Sequence, residues 1–177
     1  MHRIVVMGVA GCGKSALGGR LAQVMGCTLT EGDDFHLPAS VEKMRQGIPL
    51  DDADREPWLA RLGVLLARQP GDVVLSCSAL KRRYREQLRA AVPGLRFVYL
   101  EIDLHTASQR AQARAGHFFP MKLVSSQFAA LESPVGEPGV LAVSAAQDTE
   151  AQCRAVIDWL AEDAVGAGPA LFRRTPA

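Results

Sequence analysis

No apolar run in the chain approaches the roughly 18–20 residues that span a bilayer, so no transmembrane helix is expected. The first residues, Met1 to Gly8, lead through a short apolar run into glycines. A secretory signal needs a longer apolar stretch and a small-residue cleavage site, so a cytoplasmic protein is expected. An excess of one charge is also lacking: 20 Lys and Arg stand against 19 Asp and Glu, a net +1. That balance argues against a nucleic-acid backbone or an anionic membrane as the main partner. Any bound anion must then be met by local clusters of charge. The four cysteines, Cys12, Cys27, Cys77 and Cys153, form no C-x-x-C pair and have no histidine at metal-ligand spacing. Free thiols are expected. With 48% hydrophobic and 22% charged residues, disorder of the bulk of the chain is excluded. The 177 residues suit one domain, expected over 1–165, with a flexible tail over 166–177.

What is present is an alternation. Short apolar runs at 3–7, 28–30, 73–77, 96–102 and 140–143 read as strands. Helical spacing of apolar residues marks 14–25, 54–67, 80–91, 104–115, 121–131 and 149–164. Strands alternating with helices predict βαβ units. The expected class is α/β, with a five-stranded parallel sheet covered by helices on both faces.

The first strand runs into Gly8-Val9-Ala10-Gly11-Cys12-Gly13-Lys14-Ser15, which fits G-x-x-x-x-G-K-[ST], and an amphipathic helix leaves it. Glycines let the backbone curl so that its N–H groups, from Gly8 through Ala16, point at phosphate oxygens. The helix N-terminus adds partial positive charge. Lys14 reaches the β- and γ-phosphates, and the Ser15 hydroxyl is the expected Mg²⁺ ligand. This predicts a P-loop NTPase fold that uses ATP and Mg²⁺. No D-x-x-G directly follows the second strand and no N-K-x-D occurs, so a switch GTPase is excluded. The third strand ends in Ser76-Cys77-Ser78 without the acid a motor ATPase needs. A small-molecule kinase remains.

Gly32-Asp33-Asp34-Phe35-His36 follows the second strand and falls at the carboxyl edge of the sheet, beside the phosphate loop. A kinase acting on an alcohol needs a carboxylate there, and Asp33 is the candidate base. At this point the chain resembles the small gluconokinases, in the shikimate-kinase-like group. Besides the phosphate loop, the resemblance rests on 32–59 with its Asp-Arg-Glu-Pro-Trp run, on 77–85, and on Gly116-His117-Phe118-Phe119 followed by Gln127-Phe128. It covers roughly residues 4–164. It departs from the family pattern at Leu37, at Ser40 and in the stretch from Glu132 to Pro138.

The resemblance implies transfer of the ATP γ-phosphoryl group to the 6-hydroxyl of D-gluconate, and suggests a homodimer. Another small hydroxylated acid such as shikimate is the alternative acceptor. Gluconate is a carboxylate rich in hydroxyls and needs a local cationic site. Lys81 and Arg85 share a helical face and are candidates for it. His36 is a candidate donor to the hydroxyls. Arg55 either touches substrate or pins Asp51 or Asp54. Trp58 reads as core. Arg110 and Arg114 precede a glycine hinge, which fits a lid over 116–131. By analogy with related kinases, Arg114 would neutralise the transferring phosphoryl group and Arg110 would meet the nucleotide. His117 is a candidate substrate ligand or lid latch. Gln147 lies in the loop that resembles an adenine-contacting segment.

Overall fold

The computed structural model describes residues 1–113 and 121–166. Five strands, β1 (Arg3–Met7), β2 (Leu29–Glu31), β3 (Val73–Cys77), β4 (Arg96–Glu101) and β5 (Val140–Ser144), form one sheet in the order β2-β3-β1-β4-β5. Every pairing is parallel, with Val5 of β1 opposite Leu75 of β3 and Phe97 of β4. The helices are α1 (Lys14–Met25), α2 (Pro38–Arg45), α3 (Asp52–Arg68), α4 (Arg82–Ala91), α5 (Leu104–Ala113), α6 (Met121–Ala130) and α7 (Thr149–Gly166). This is the expected α/β architecture.

Successive side chains of a strand point to opposite faces, so a strand buried on both sides must be apolar throughout. In β1, Ile4 and Val6 join a core with Leu17, Leu21, Val98 and Val156. Val5 and Met7 join the other, with Trp58, Leu62, Leu75 and Phe97. β1 therefore lies at the centre, and the loop leaving its carboxyl end opens at the middle of the sheet edge.

Three local features differ from the periodicity reading. Helix α2 was not expected, because Pro38–Arg45 has no apolar stripe; Pro38 starts it, its fixed φ suiting the first turn. Helix α3 begins at Asp52, two residues earlier than expected. Asp51 accepts from the Asp54 N–H at 2.9 Å while Asp54 accepts from the Asp51 N–H at 3.1 Å, a reciprocal cap. Helix α4 begins at Arg82, because Lys81 is extended (φ −95°, ψ 148°).

Polar ties join these elements. Asp52 accepts from Lys81 Nζ at 2.8 Å and also pairs with Arg83 and the Tyr84 hydroxyl, linking α3 to α4. Arg85 is wholly buried and grips Glu137 through Nη2 at 2.5 Å and Nε at 3.0 Å. It also donates to the carbonyls of Ala79, Leu80 and Glu132 at 2.9, 3.0 and 3.1 Å. Glu137 also accepts from Arg89 at 3.0 Å, and these guanidinium groups hold its carboxyl below the usual range. The expected tail falls mostly outside the described residues, Gly166 closing α7.

Candidate active site

The phosphate loop turns into α1 at Gly13, whose φ of 102° lies in the left-handed region that favours glycine. Lys14 folds back across the loop and donates to the Val9 carbonyl at 3.0 Å. Gln127, from α6, accepts from the Ala10 N–H at 2.7 Å. Cys12 packs beneath the loop in the apolar core, 1% exposed.

β2 delivers Glu31 and then a short 3-10 turn, Gly32–Phe35, at the same sheet edge. A side chain at Gly32 would put its Cβ 2.5 Å from the Ser76 carbonyl, so only glycine lets this turn lie against β3. Trp58 secures the turn from below, donating from Nε1 to the Gly32 carbonyl at 2.8 Å. The same indole stacks on His36, with ring centroids 4.2 Å apart and planes 15° from parallel. Trp58 is thus core, as expected, and also the floor of the acceptor segment. His36 Nε2 lies 3.8 Å from Asp33 Oδ1, and Nδ1 is buried without a hydrogen-bond partner. Burial pushes the imidazole pKa below its ordinary value, with Asp33 opposing and Arg55 reinforcing the shift. The Asp33 carboxylate itself is exposed.

These pieces enclose one cavity of about 210 Å³. Ala10, Gly11, Gly13, Lys14 and Ser15 line its phosphate end, and Asp33, His36 and Arg55 line the other. Arg55 reaches the Ser78 hydroxyl at 3.4 Å and the Leu50 carbonyl at 3.5 Å. Lys43, not Arg55, pins Asp54, at 2.7 Å. Of the two roles open for Arg55, pinning Asp54 falls to Lys43, and Arg55 lines the cavity. Neither Leu37 nor Ser40 lines the cavity.

Lys81 and Arg85 are not among the lining residues. Lys81 is engaged by Asp52, and Arg85 is buried against Glu137 with no surface left for a ligand. The helical wheel put them on one face, but Lys81 precedes α4 in extended backbone, where its partly exposed side chain pairs with Asp52, while Arg85 points into the protein. Arg110 donates to the Ala145 carbonyl at 3.1 Å, which brings the end of α5 to the loop that holds Gln147. The Gln147 carbonyl accepts from Gln152 at 3.1 Å, so α7 braces that loop. Arg114, His117 and the hinge part of the expected lid lie outside the described residues.

Several lining residues carried no role in the sequence reading: Glu31, Met44, Leu50, Ser76, Ser78 and Gln127. Met44, Leu50, Ser78 and Gln127 lie inside the stretches that carry the resemblance, which was the available signal. Below the cavity Cys77 is fully buried, and burial pushes its thiol up to about 12, so it stays protonated.

Residues 4–138 match the family model described as an AAA domain. A gluconokinase of Gluconobacter oxydans (strain 621H) is 46% identical over 144 residues, 80% of this chain and 81% of that protein. The chain belongs to the gluconokinase family. The crystal structure of a gluconokinase from Sinorhizobium meliloti 1021 superposes with a TM-score of 0.87 at 43% identity, covering 95% of this chain and 98% of that one. Shikimate kinase from Aquifex aeolicus vf5 superposes with a TM-score of 0.62 at 14% identity, a likeness of fold alone. Gluconokinase-family membership and the phosphate loop together make this a nucleotide-using P-loop kinase. Among the described residues no helix is long and apolar enough to cross a membrane.

Proposed function

We propose that the chain phosphorylates D-gluconate at its 6-hydroxyl with ATP, releasing 6-phosphogluconate and ADP. The observation that carries this reading is the shared cavity, with Lys14 and Ser15 at one end and Asp33, His36 and Arg55 at the other. The resemblance of 32–59 to gluconokinases supports the acceptor.

The loop amides and Lys14 would hold the β- and γ-phosphates. Arg55 is the cation placed at the acceptor end, and we assign the gluconate carboxylate to it in place of Lys81 and Arg85. His36, kept neutral by burial, would offer a ring nitrogen to a hydroxyl. Asp33 would take the proton of the 6-hydroxyl as its oxygen bonds to the γ-phosphorus. The bond from that phosphorus to the bridging oxygen breaks, and the electron pair leaves with ADP. Because the transition state is loose, positioning and charge neutralisation supply most of the rate. Arg110, at the Ala145 carbonyl, would flank the base together with the loop carrying Gln147.

Ser15, Asp33 and Glu31 bring hard oxygen donors to the cavity, the set that suits Mg²⁺. Among the described residues no cluster of three or more His, Cys, Asp or Glu could cage a metal. We assign Ser15 as the protein ligand of the ion, with substrate phosphates supplying further oxygens. When bound, Mg²⁺ neutralises phosphate charge.

The test is ADP release with gluconate, shikimate and nucleosides offered in turn. Gluconate alone among these should elicit turnover. Turnover of shikimate without gluconate would assign the acceptor end to another acid.

A further inference from the structure

The Val9–Ala10 peptide is held on both of its polar sides. Its carbonyl oxygen accepts from Lys14 Nζ at 3.0 Å and, more weakly, from the Cys12 N–H at 3.4 Å, and its N–H donates to Gln127 Oε1 at 2.7 Å. These two groups belong to one planar unit, so they turn together. A peptide with only one side held can rotate through its flanking dihedrals. One held on both sides cannot rotate without losing the bonds on both; Gln127 holds the N–H side, while the carbonyl side is shared by Lys14 and the Cys12 N–H.

Although α6 falls within the lid expected over 116–131, its Leu123 and Val124 are buried, which makes Gln127 the fixed side. It projects from α6, whose Val124 is fully buried in the core and whose Phe128 packs against the same cluster. Lys14 is the mobile partner, a flexible chain ending in a charge that must meet the phosphates. We propose that Gln127 is a positioning residue for Lys14. It sets the plane of the Val9–Ala10 peptide, and that peptide's carbonyl sets the ammonium group. Gln127 also lines the cavity, so the setting is made at the place where the phosphoryl group is transferred. The chain of contacts runs from the helical core through one amide side chain and one peptide to the catalytic cation. This inference rests on the proposed use of the loop for ATP.

The test is a double-mutant cycle on the full chain: Gln127→Met, Lys14→Met and both together. Methionine keeps the length of glutamine and removes the oxygen. The readouts are binding of a non-hydrolysable ATP analogue without acceptor, and kcat/KM for ATP with gluconate. Loss of one hydrogen bond to a backbone amide predicts about a tenfold loss in the single Gln127→Met variant. In the Lys14→Met background the same change should cost less than about twofold, because its effect acts through Lys14. Losses that multiply in the double variant would overturn the proposal, as would a single variant within about twofold of wild type. Should Gln127→Met not fold, Gln127→Ala takes its place in the same cycle. A wild-type chain that binds the analogue but ignores gluconate would sink the acceptor reading alone, and the binding cycle would still decide the role of Gln127. A wild-type chain that binds no analogue would sink both.

Discussion

Replacing Arg85 by methionine separates a binding role from a structural one. The side chain is wholly buried and holds both Glu137 oxygens and three backbone carbonyls. Removing one partner of a buried ion pair costs about 3–5 kcal/mol, chiefly because the other charge stays buried. Here two contacts soften that loss. Glu137 would retain Arg89, at 3.0 Å, and the Leu80 carbonyl would retain the Glu132 N–H, at 2.9 Å. The carbonyls of Ala79 and Glu132 would lose this donor, at about 1 kcal/mol each. The expected destabilisation is therefore toward the lower end, about 3–4 kcal/mol. For a chain of this size that lowers the melting midpoint by about 6–16 °C. Lysine at this position keeps a charge but not the fork, and should lose an intermediate amount. The assays are thermal unfolding by circular dichroism, and ADP release measured well below the variant's midpoint. The gluconate KM of the folded variant should stay within about threefold of wild type, since Arg85 is not in the cavity. An unchanged midpoint with a gluconate KM raised tenfold or more would refute the reasoning and return Arg85 to the substrate.

Two further outcomes are expected. Lys14→Met should lower kcat by about 10³-fold or more and Asp33→Asn by about 10²-fold, measured by ADP release, because charge neutralisation outweighs proton transfer in a loose transition state; comparable losses would count against that order. The second concerns pH. Burial lowers the His36 pKa below its ordinary 6.5, so the unfolded chain takes up a proton that the folded chain resists. The stability tied to a neutral His36 is then fully present above about pH 6.5 and is lost as pH falls from there toward the folded value. His36→Phe keeps a ring for Trp58 to stack on and cannot titrate. Its melting midpoint should fall less than that of wild type between about pH 7 and 5.5, and parallel curves would remove His36 as the source.

The phosphate loop was legible in the sequence because its chemistry is local. Gly8 to Ser15 are contiguous, their glycines and lysine act through nearby backbone, and the strand and helix on either side follow from apolar period alone. The parallel sheet was legible for a similar reason: Ile4–Met7 of β1 and Val73–Leu75 of β3 are apolar without alternation, as a doubly covered strand requires. Helix α2 was not legible, since its start depends on Pro38 and it lacks a hydrophobic stripe. Asp33 and Arg55 were candidates from motif and resemblance, and the structure brings both to the cavity.

Lys81 and Arg85 mark what sequence cannot decide. A helical wheel says which residues share a face but not what that face meets. The partners that claim them, Asp52 and Glu137, lie 29 and 52 residues away along the chain. Gln127 is the converse case. Nothing in its local pattern ties it to Ala10, 117 positions earlier, yet the fold brings the two to 2.7 Å. The sequence by itself determined the nucleotide loop, the α/β class and the family. The tertiary structure decided which cations face the cavity, because Arg85 is buried in an ion pair with Glu137 and Lys81 is drawn to Asp52, while Arg55 lines the cavity.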